Sequence, residues 1–170
     1  YNAKTTYKMS WLPDNMHEPQ TGSYFKPVKG KQNKVRIICD KPLVGHVQWT
    51  EDKRPVRWRL GDPRPEANYE EGTKPRVFVA CAVWNYEERA TQVWEITQRT
   101  LQDALDALTK DADFGHPANY DLKITRQGDG LDTTYSMIPM PGEQNDDVVN
   151  AIAELRVNLD ALLDGTDPFA

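Results

Sequence analysis

The sequence predicts a mainly β fold with one inserted helix and a second, amphipathic helix near the end of the chain. Short segments rich in β-branched and aromatic residues recur from residue 24 onward, separated by Gly, Pro, Asp and Lys. This pattern is typical of strands joined by tight turns. Seven or so short strands with one helix between them favour an OB-like small β-barrel, an architecture that normally carries such a helix.

The strands are expected at residues 24–29, 34–40, 43–50, 55–60, 76–85, 91–97, 120–127 and 132–138. The run 77–83 is almost entirely apolar, which predicts a central strand buried on both faces. Residues 61–75 contain three Pro and two Gly without an apolar period, and therefore predict a loop. The last two strands are expected to form a hairpin around Gly128-Asp129-Gly130.

Two helices are predicted from apolar spacing. In the first, Leu101, Leu105 and Leu108 form a stripe, with Thr97 as the N-cap and an end near Lys110. The second is expected over about 146–164, because apolar residues recur there at intervals of four, three, four and three: Val148, Ile152, Leu155, Leu159 and Leu162. Such a stripe either docks on the barrel or pairs with another chain, including a second copy, as a short coiled coil.

The predicted organisation is an N-terminal extension (1–23), an OB-like domain (24–140), and a C-terminal region of linker, amphipathic helix and acidic end (141–170). The formal net charge is −5, which conceals an asymmetry. Residues 1–80 hold 15 Lys and Arg against nine Asp and Glu, whereas residues 81–170 hold six against 17. Such a division indicates a basic binding face joined to an acidic region.

The strongest local signal is a cluster of cations and aromatic residues between 26 and 59. Proteins that bind single-stranded nucleic acid need cations along the phosphates and flat side chains on which bases stack. The phosphate candidates are Lys26, Lys29, Lys31, Lys34, Arg36, Arg57, Arg59, Lys123 and Arg126. The stacking candidates are Trp49, Trp58, Tyr86 and Tyr135. The competing interpretation of the lysines is a solvated sheet edge that discourages pairing with other sheets.

The alternation of Arg57, Trp58 and Arg59 leaves two arrangements open, because neighbouring side chains of a strand point to opposite faces. Either Trp58 belongs to the core and the arginines face the groove, or Trp58 stacks on a base and the arginines flank it.

Other functional classes find little support. His17, His46 and His116 are scattered, and Cys39 and Cys81 fit two buried thiols better than a disulfide. The sequence lacks a serine-nucleophile elbow and a phosphate-cradling Gly-Lys-Ser/Thr loop, so we expect no enzyme activity, metal or cofactor. No stretch approaches the roughly 20 apolar residues of a membrane helix, and no signal-like segment opens the sequence. We therefore expect a cytoplasmic protein without a membrane partner.

Residues 83–139 resemble a known family in the order and spacing of several short motifs. These are Trp84-Asn85 at a strand end, Val93-Trp94-Glu95 running into a helix, Asp113-Phe114-Gly115 followed by Pro117, Tyr120-Asp121-Leu122 followed by Ile124-Thr125-Arg126, and a Gly128-x-Gly130-Leu131-Asp132-Thr133 turn before Tyr135. Together they resemble the single-stranded DNA-binding, helix-destabilising proteins of tailed bacteriophages, which have an OB fold. The likeness covers about a third of the chain.

This resemblance implies a sequence-tolerant protein that coats and protects single-stranded DNA in phage replication, recombination or repair, in the host cytoplasm. It also implies that the acidic C-terminal region contacts replication or recombination proteins. Two features depart from the family: the zinc ligands of its best-known member are absent, and no basic N-terminal cooperativity arm is evident. The alternative is an OB-fold interaction adaptor that assembles through its C-terminal helix. The sequence does not separate DNA from RNA as the ligand.

Overall fold

Seven antiparallel strands form the framework of the part of the chain that the structure, a computed structural model, describes: residues 23–170. The strands are β1 (Gln32–Ile37), β2 (Leu43–Trp49), β3 (Pro55–Arg59), β4 (Arg76–Asn85), β5 (Ala90–Ile96), β6 (Tyr120–Gln127) and β7 (Thr134–Pro141). Two α-helices accompany them, α1 (Arg99–Lys110) and α2 (Asp146–Ala153). The mainly β prediction is confirmed. The predicted extension lies outside the described residues except for Ser23.

Strand β4 is the centre of the sheet. Its first half pairs with β2 and its second half with β1 along one edge, while β5 pairs along the other edge. Phe78, Ala80 and Ala82 on one face, and Cys81 and Val83 on the other, are at most 2% exposed. The prediction of a central strand buried on both faces is therefore confirmed from Ala80 to Val83, whereas Val79 is partly buried and Val77 is 40% exposed.

The hydrogen-bonded path runs β3-β2-β4-β1-β6-β7 and ends at β3 and β7, so these pairings do not close the sheet into a ring. At the β7 end, Pro139 and Pro141 supply no backbone N–H groups. At the β3 end the sheet curls, so that β3 approaches β5. Arg57 on β3 reaches Glu95 on β5 although β2 and β4 lie between them. Gly45 permits this curl, because a Cβ atom there would overlap the Trp58 carbonyl.

The segment at 24–29 does not form the expected strand. It makes only isolated bridges, from Tyr24 to Val93 and from Lys29 to Arg126. The side chain of Asn33 takes the place of a strand partner: its Oδ1 accepts from the Val28 N–H at 2.9 Å, and its Nδ2 donates to the Val28 carbonyl at 3.2 Å.

The first helix is close to its prediction. It ends at Lys110 as expected, and Leu101 is 1% exposed in the main core. The expected N-cap is wrong: Gln98 occupies that position without a side-chain cap bond. The amide of Gln102 instead fixes the start of the helix by donating to the Ile96 and Val77 carbonyls, each at 2.9 Å.

The expected continuous helix over 146–164 is also wrong. Helix α2 ends at Ala153, and after a turn and a stretch without regular secondary structure the chain forms a 3₁₀ helix, Leu159–Asp164. The break lets the apolar residues reach two clusters. Val148 joins the core beneath β1, β4 and β6, whereas Leu162 joins Phe78 and Val93. The C-terminal region therefore docks within its own chain. None of the helices in the described residues is long and apolar enough to cross a membrane.

Candidate nucleic-acid interface

A row of four side chains crosses strands β7, β6 and β1 on one exposed face of the sheet and ends at Tyr86, directly after β4. Lys34 on β1 is directly opposite Lys123 on β6, and Lys123 is opposite Ile138 on β7. On the other side of Lys34, the N–H of Tyr86 donates to the Lys34 carbonyl at 3.2 Å. Neighbouring strands are about 4.8 Å apart, so the row spans roughly 14 Å. We define the Lys34 surface as this row and the neighbouring carboxylate: Lys34, Tyr86, Asp121, Lys123 and Ile138.

Two lysines directly opposite each other on paired strands are unfavourable for the sheet by itself, because like charges at such positions destabilise the strand pair. The compensating carboxylate, Asp121, lies 3.6 Å from the Lys34 Nζ but is shared with Arg36, whose Nε donates to it at 2.7 Å. One carboxylate thus serves two cations while Lys123 adds a third. The local excess of positive charge favours an anionic ligand.

Arg36 supports this surface from below. Its side chain is 1% exposed, and besides Asp121 it donates to the Ala118 carbonyl at 3.3 Å and the Gly142 carbonyl at 2.9 Å. The sequence placed Arg36 among the phosphate contacts, but its guanidinium is enclosed and hydrogen-bonded. In this structure its role is to hold Asp121 and the chain at Gly142.

Tyr86 supplies an aromatic ring beside the lysines. Its hydroxyl donates to Asp121 Oδ1 at 2.6 Å, and the ring packs against the main core. Burial, together with the nearby Asp121 carboxylate, raises the pKa of Tyr86 well above its ordinary value, so the hydroxyl remains a donor. The Lys34 Nζ lies over the ring, 4.4 Å from its centroid. The ring is therefore fixed in position, as a stacking platform requires.

Lys29 and Lys31, two further predicted phosphate contacts, lie just before β1, and Lys29 forms a bridge with Arg126. They pair with Asp129 and Glu87, respectively, and all four side chains are at least 41% exposed. Exposed ion pairs of this kind contribute only about 0–1 kcal/mol, so both lysines can exchange their carboxylates for phosphates at little cost. Lys26 is also exposed.

Arg126 and Tyr135 lie apart from this surface. They are opposite each other on β6 and β7, and the alternation of side chains puts them on the face away from Lys123. Tyr135 is half-buried against the core, and the Arg126 Nε is buried with no hydrogen-bond partner among residues 23–170. The structure therefore does not group these two candidates with Lys34 and Tyr86.

The β2–β3 hairpin carries the other predicted group. Trp49 is 46% exposed, whereas Trp58 is 7% exposed and lies between His46 and Tyr69, with ring centroids 5.6 Å and 6.4 Å away. Trp58 is thus buried, as in the first of the two arrangements left open by the sequence, but in an aromatic group outside the two apolar clusters. Arg57 and Arg59 lie on the opposite face.

Those two arginines are already paired. Arg57 makes two hydrogen bonds to Glu95, at 2.5 Å and 3.2 Å, and Arg59 lies 3.1 Å from Asp160 of the C-terminal 3₁₀ helix. A cleft of about 710 Å³ nearby is lined by Arg54 and Arg57 but also by acids that include Asp164. Because its charges are mixed, this cleft suits a polyanion less well than the Lys34 surface does.

The comparisons with known proteins are negative. No family model, curated protein or solved structure matches this chain. Within residues 23–170, no group of three or more His, Cys, Asp or Glu side chains is arranged to hold a metal ion. The Lys34 surface is therefore the principal structural guide to function.

Asp121 is the main member of this surface that the sequence did not single out. A signal was present: Asp121 and Lys123 flank Leu122 in a predicted strand, which puts them on one face. What the sequence could not supply was the pairing of β6 with β1, which brings Asp121 to Arg36 and Lys34.

Proposed function

We propose that the protein binds single-stranded DNA with little sequence preference, and that it coats and protects the strand during phage replication, recombination or repair. The observation that carries the proposal is the placement of Lys34 between Lys123 on one side and the Tyr86 ring on the other. Cations that follow phosphates and an aromatic ring that accepts a base are the two elements such binding needs. The resemblance of residues 83–139 to phage single-strand binders supports the same conclusion.

The proposed architecture is OB-like. Three features support this assignment. The sheet curls so that β3 approaches β5, the long strand β4 pairs with β1, β2 and β5, and helix α1 lies between β5 and β6 in the chain. The proposed activity is binding without a catalysed reaction, in the host cytoplasm. The acidic C-terminal region, residues 143–170, would bind replication or recombination proteins.

The proposal predicts strong preference for single-stranded over duplex DNA. A labelled oligo-dT and a duplex of equal length would be titrated with the protein at several salt concentrations. If five lysines neutralise phosphates (Lys26, Lys29, Lys31, Lys34 and Lys123), the logarithm of the association constant should fall with the logarithm of salt with a slope of about −3.5. Equal affinity for the duplex, or a slope near zero, would refute the proposal.

A charge-removing variant locates the interface. The double variant Lys34→Gln/Lys123→Gln should bind oligo-dT roughly five- to 25-fold more weakly near 0.1 M salt, and its salt slope should be shallower by about 1.4, because each phosphate contact contributes about 0.7. The matched control is Lys110→Gln with Arg99→Gln. It removes two exposed cations of α1 that pair only with helix neighbours, and it should bind like the wild type. Equal losses in both double variants would show that net charge matters but the Lys34 surface does not.

A further inference from the structure

In the free protein, Lys34 and Tyr86 contact each other through the same groups that would bind DNA, the ammonium and the ring. The Lys34 ammonium lies over the Tyr86 ring, at 4.4 Å from its centroid, and so covers the ring face on which a base would stack. At the same time the ammonium is 3.6 Å from Asp121, so it is held away from a passing phosphate. The side chain is nevertheless 46% exposed and has room to move.

The ring itself is held in place. Its hydroxyl donates to Asp121 across strand β1, and Asp121 is held by the buried Arg36. When a base approaches, the lysine is therefore the group that moves. Lys123 is the neighbour of Lys34 across the strand pair, and within residues 23–170 its ammonium does not lie over an aromatic ring.

We propose that Lys34 is a displaceable cover for the Tyr86 stacking site: an unpaired base takes the ring, and the released ammonium moves to the adjacent phosphate. This inference rests on the proposed single-strand binding and specifies how one base and one phosphate are taken together. Base stacking and phosphate pairing at this position are then coupled. Removing Lys34 has two opposed effects, loss of a phosphate contact and release of the ring.

The loss of the phosphate contact and the release of the ring can be distinguished by varying the salt concentration. Pairing with phosphate weakens as salt rises, whereas stacking depends little on salt. Near 0.02 M salt, loss of one phosphate contact costs about 15-fold and release of the ring returns about two- to fivefold, so Lys34→Gln should bind oligo-dT about three- to eightfold more weakly than the wild type. At high salt it should bind about two- to fivefold more tightly, because the cation–π contact no longer competes with the base. When the logarithm of the association constant is plotted against the logarithm of salt concentration, the lines for the wild type and for Lys34→Gln (the salt lines) should therefore cross.

The experiment compares wild type, Lys34→Gln and Lys123→Gln on oligo-dT and on an abasic oligonucleotide of equal length, across a salt series. Lys123→Gln should bind at or below the wild-type affinity throughout, without a crossing. On the abasic strand, Lys34→Gln should behave like Lys123→Gln, because no base is present to use the released ring.

Three outcomes decide the matter. A crossing that occurs only for Lys34→Gln and only on oligo-dT supports the displaceable cover. Salt lines without a crossing, or the same crossing on the abasic strand, overturn it while leaving single-strand binding intact. Failure of the wild-type protein to bind either oligonucleotide overturns both this inference and the proposed function.

Discussion

Replacing Arg36 with methionine is expected to lower the free energy of unfolding by about 3 kcal/mol, because it breaks a buried ion pair by removing one partner. Arg36 is 1% exposed, and its guanidinium satisfies Asp121 and the carbonyls of Ala118 and Gly142. The change leaves these acceptors short of a donor. The expected loss is at the low end for buried pairs because Asp121 keeps the Tyr86 hydroxyl and the Lys34 ammonium.

Urea unfolding followed by tryptophan fluorescence would measure this effect. Arg156→Met is the matched control, since it removes the same charge from an exposed position and should change the free energy of unfolding by less than about 0.5 kcal/mol. Equal stability of the two variants would show that the guanidinium of Arg36 does not support the fold, and that it is free to serve as the phosphate contact expected from sequence.

The Arg36 case shows where sequence reasoning reached its limit. Local alternation correctly puts Lys34 and Arg36 on the same face of β1, and both carry the charge that a DNA-binding surface needs. What separates their roles is contact with Asp121, 85 residues away along the chain, and with Gly142, 106 residues away. No local pattern indicates which of the two cations these distant groups enclose.

The strands were easier to predict than the C-terminal region. Strand β4 has a nearly continuous apolar run, and its bounds match the expected 76–85. In the C-terminal region the apolar spacing correctly marked Val148 and Leu162 as buried positions. It did not reveal that the chain leaves the helix after Ala153, because the requirement that the two residues pack into different clusters comes from the rest of the fold.

Leu162→Ala is expected to lower the free energy of unfolding by about 2–5 kcal/mol, the range for truncating a buried leucine. Leu162 is 4% exposed and packs in the cluster that contains Phe78 and Val93. The loss combines the transfer free energy of the removed carbons with the cavity that remains. Urea unfolding would again measure the effect.

This variant also separates the two roles considered for the C-terminal region. Val149→Ala is the control, because Val149 lies in the same region but is 48% exposed, and it should leave stability within about 0.5 kcal/mol of the wild type. If the region were an adaptor that is undocked in the isolated chain, Leu162→Ala would leave unfolding unchanged and would weaken only self-association or partner binding. A loss of stability confined to Leu162→Ala instead means that these apolar residues are used within the chain. The exposed acids of 143–170 then remain as the part of this region open to other proteins.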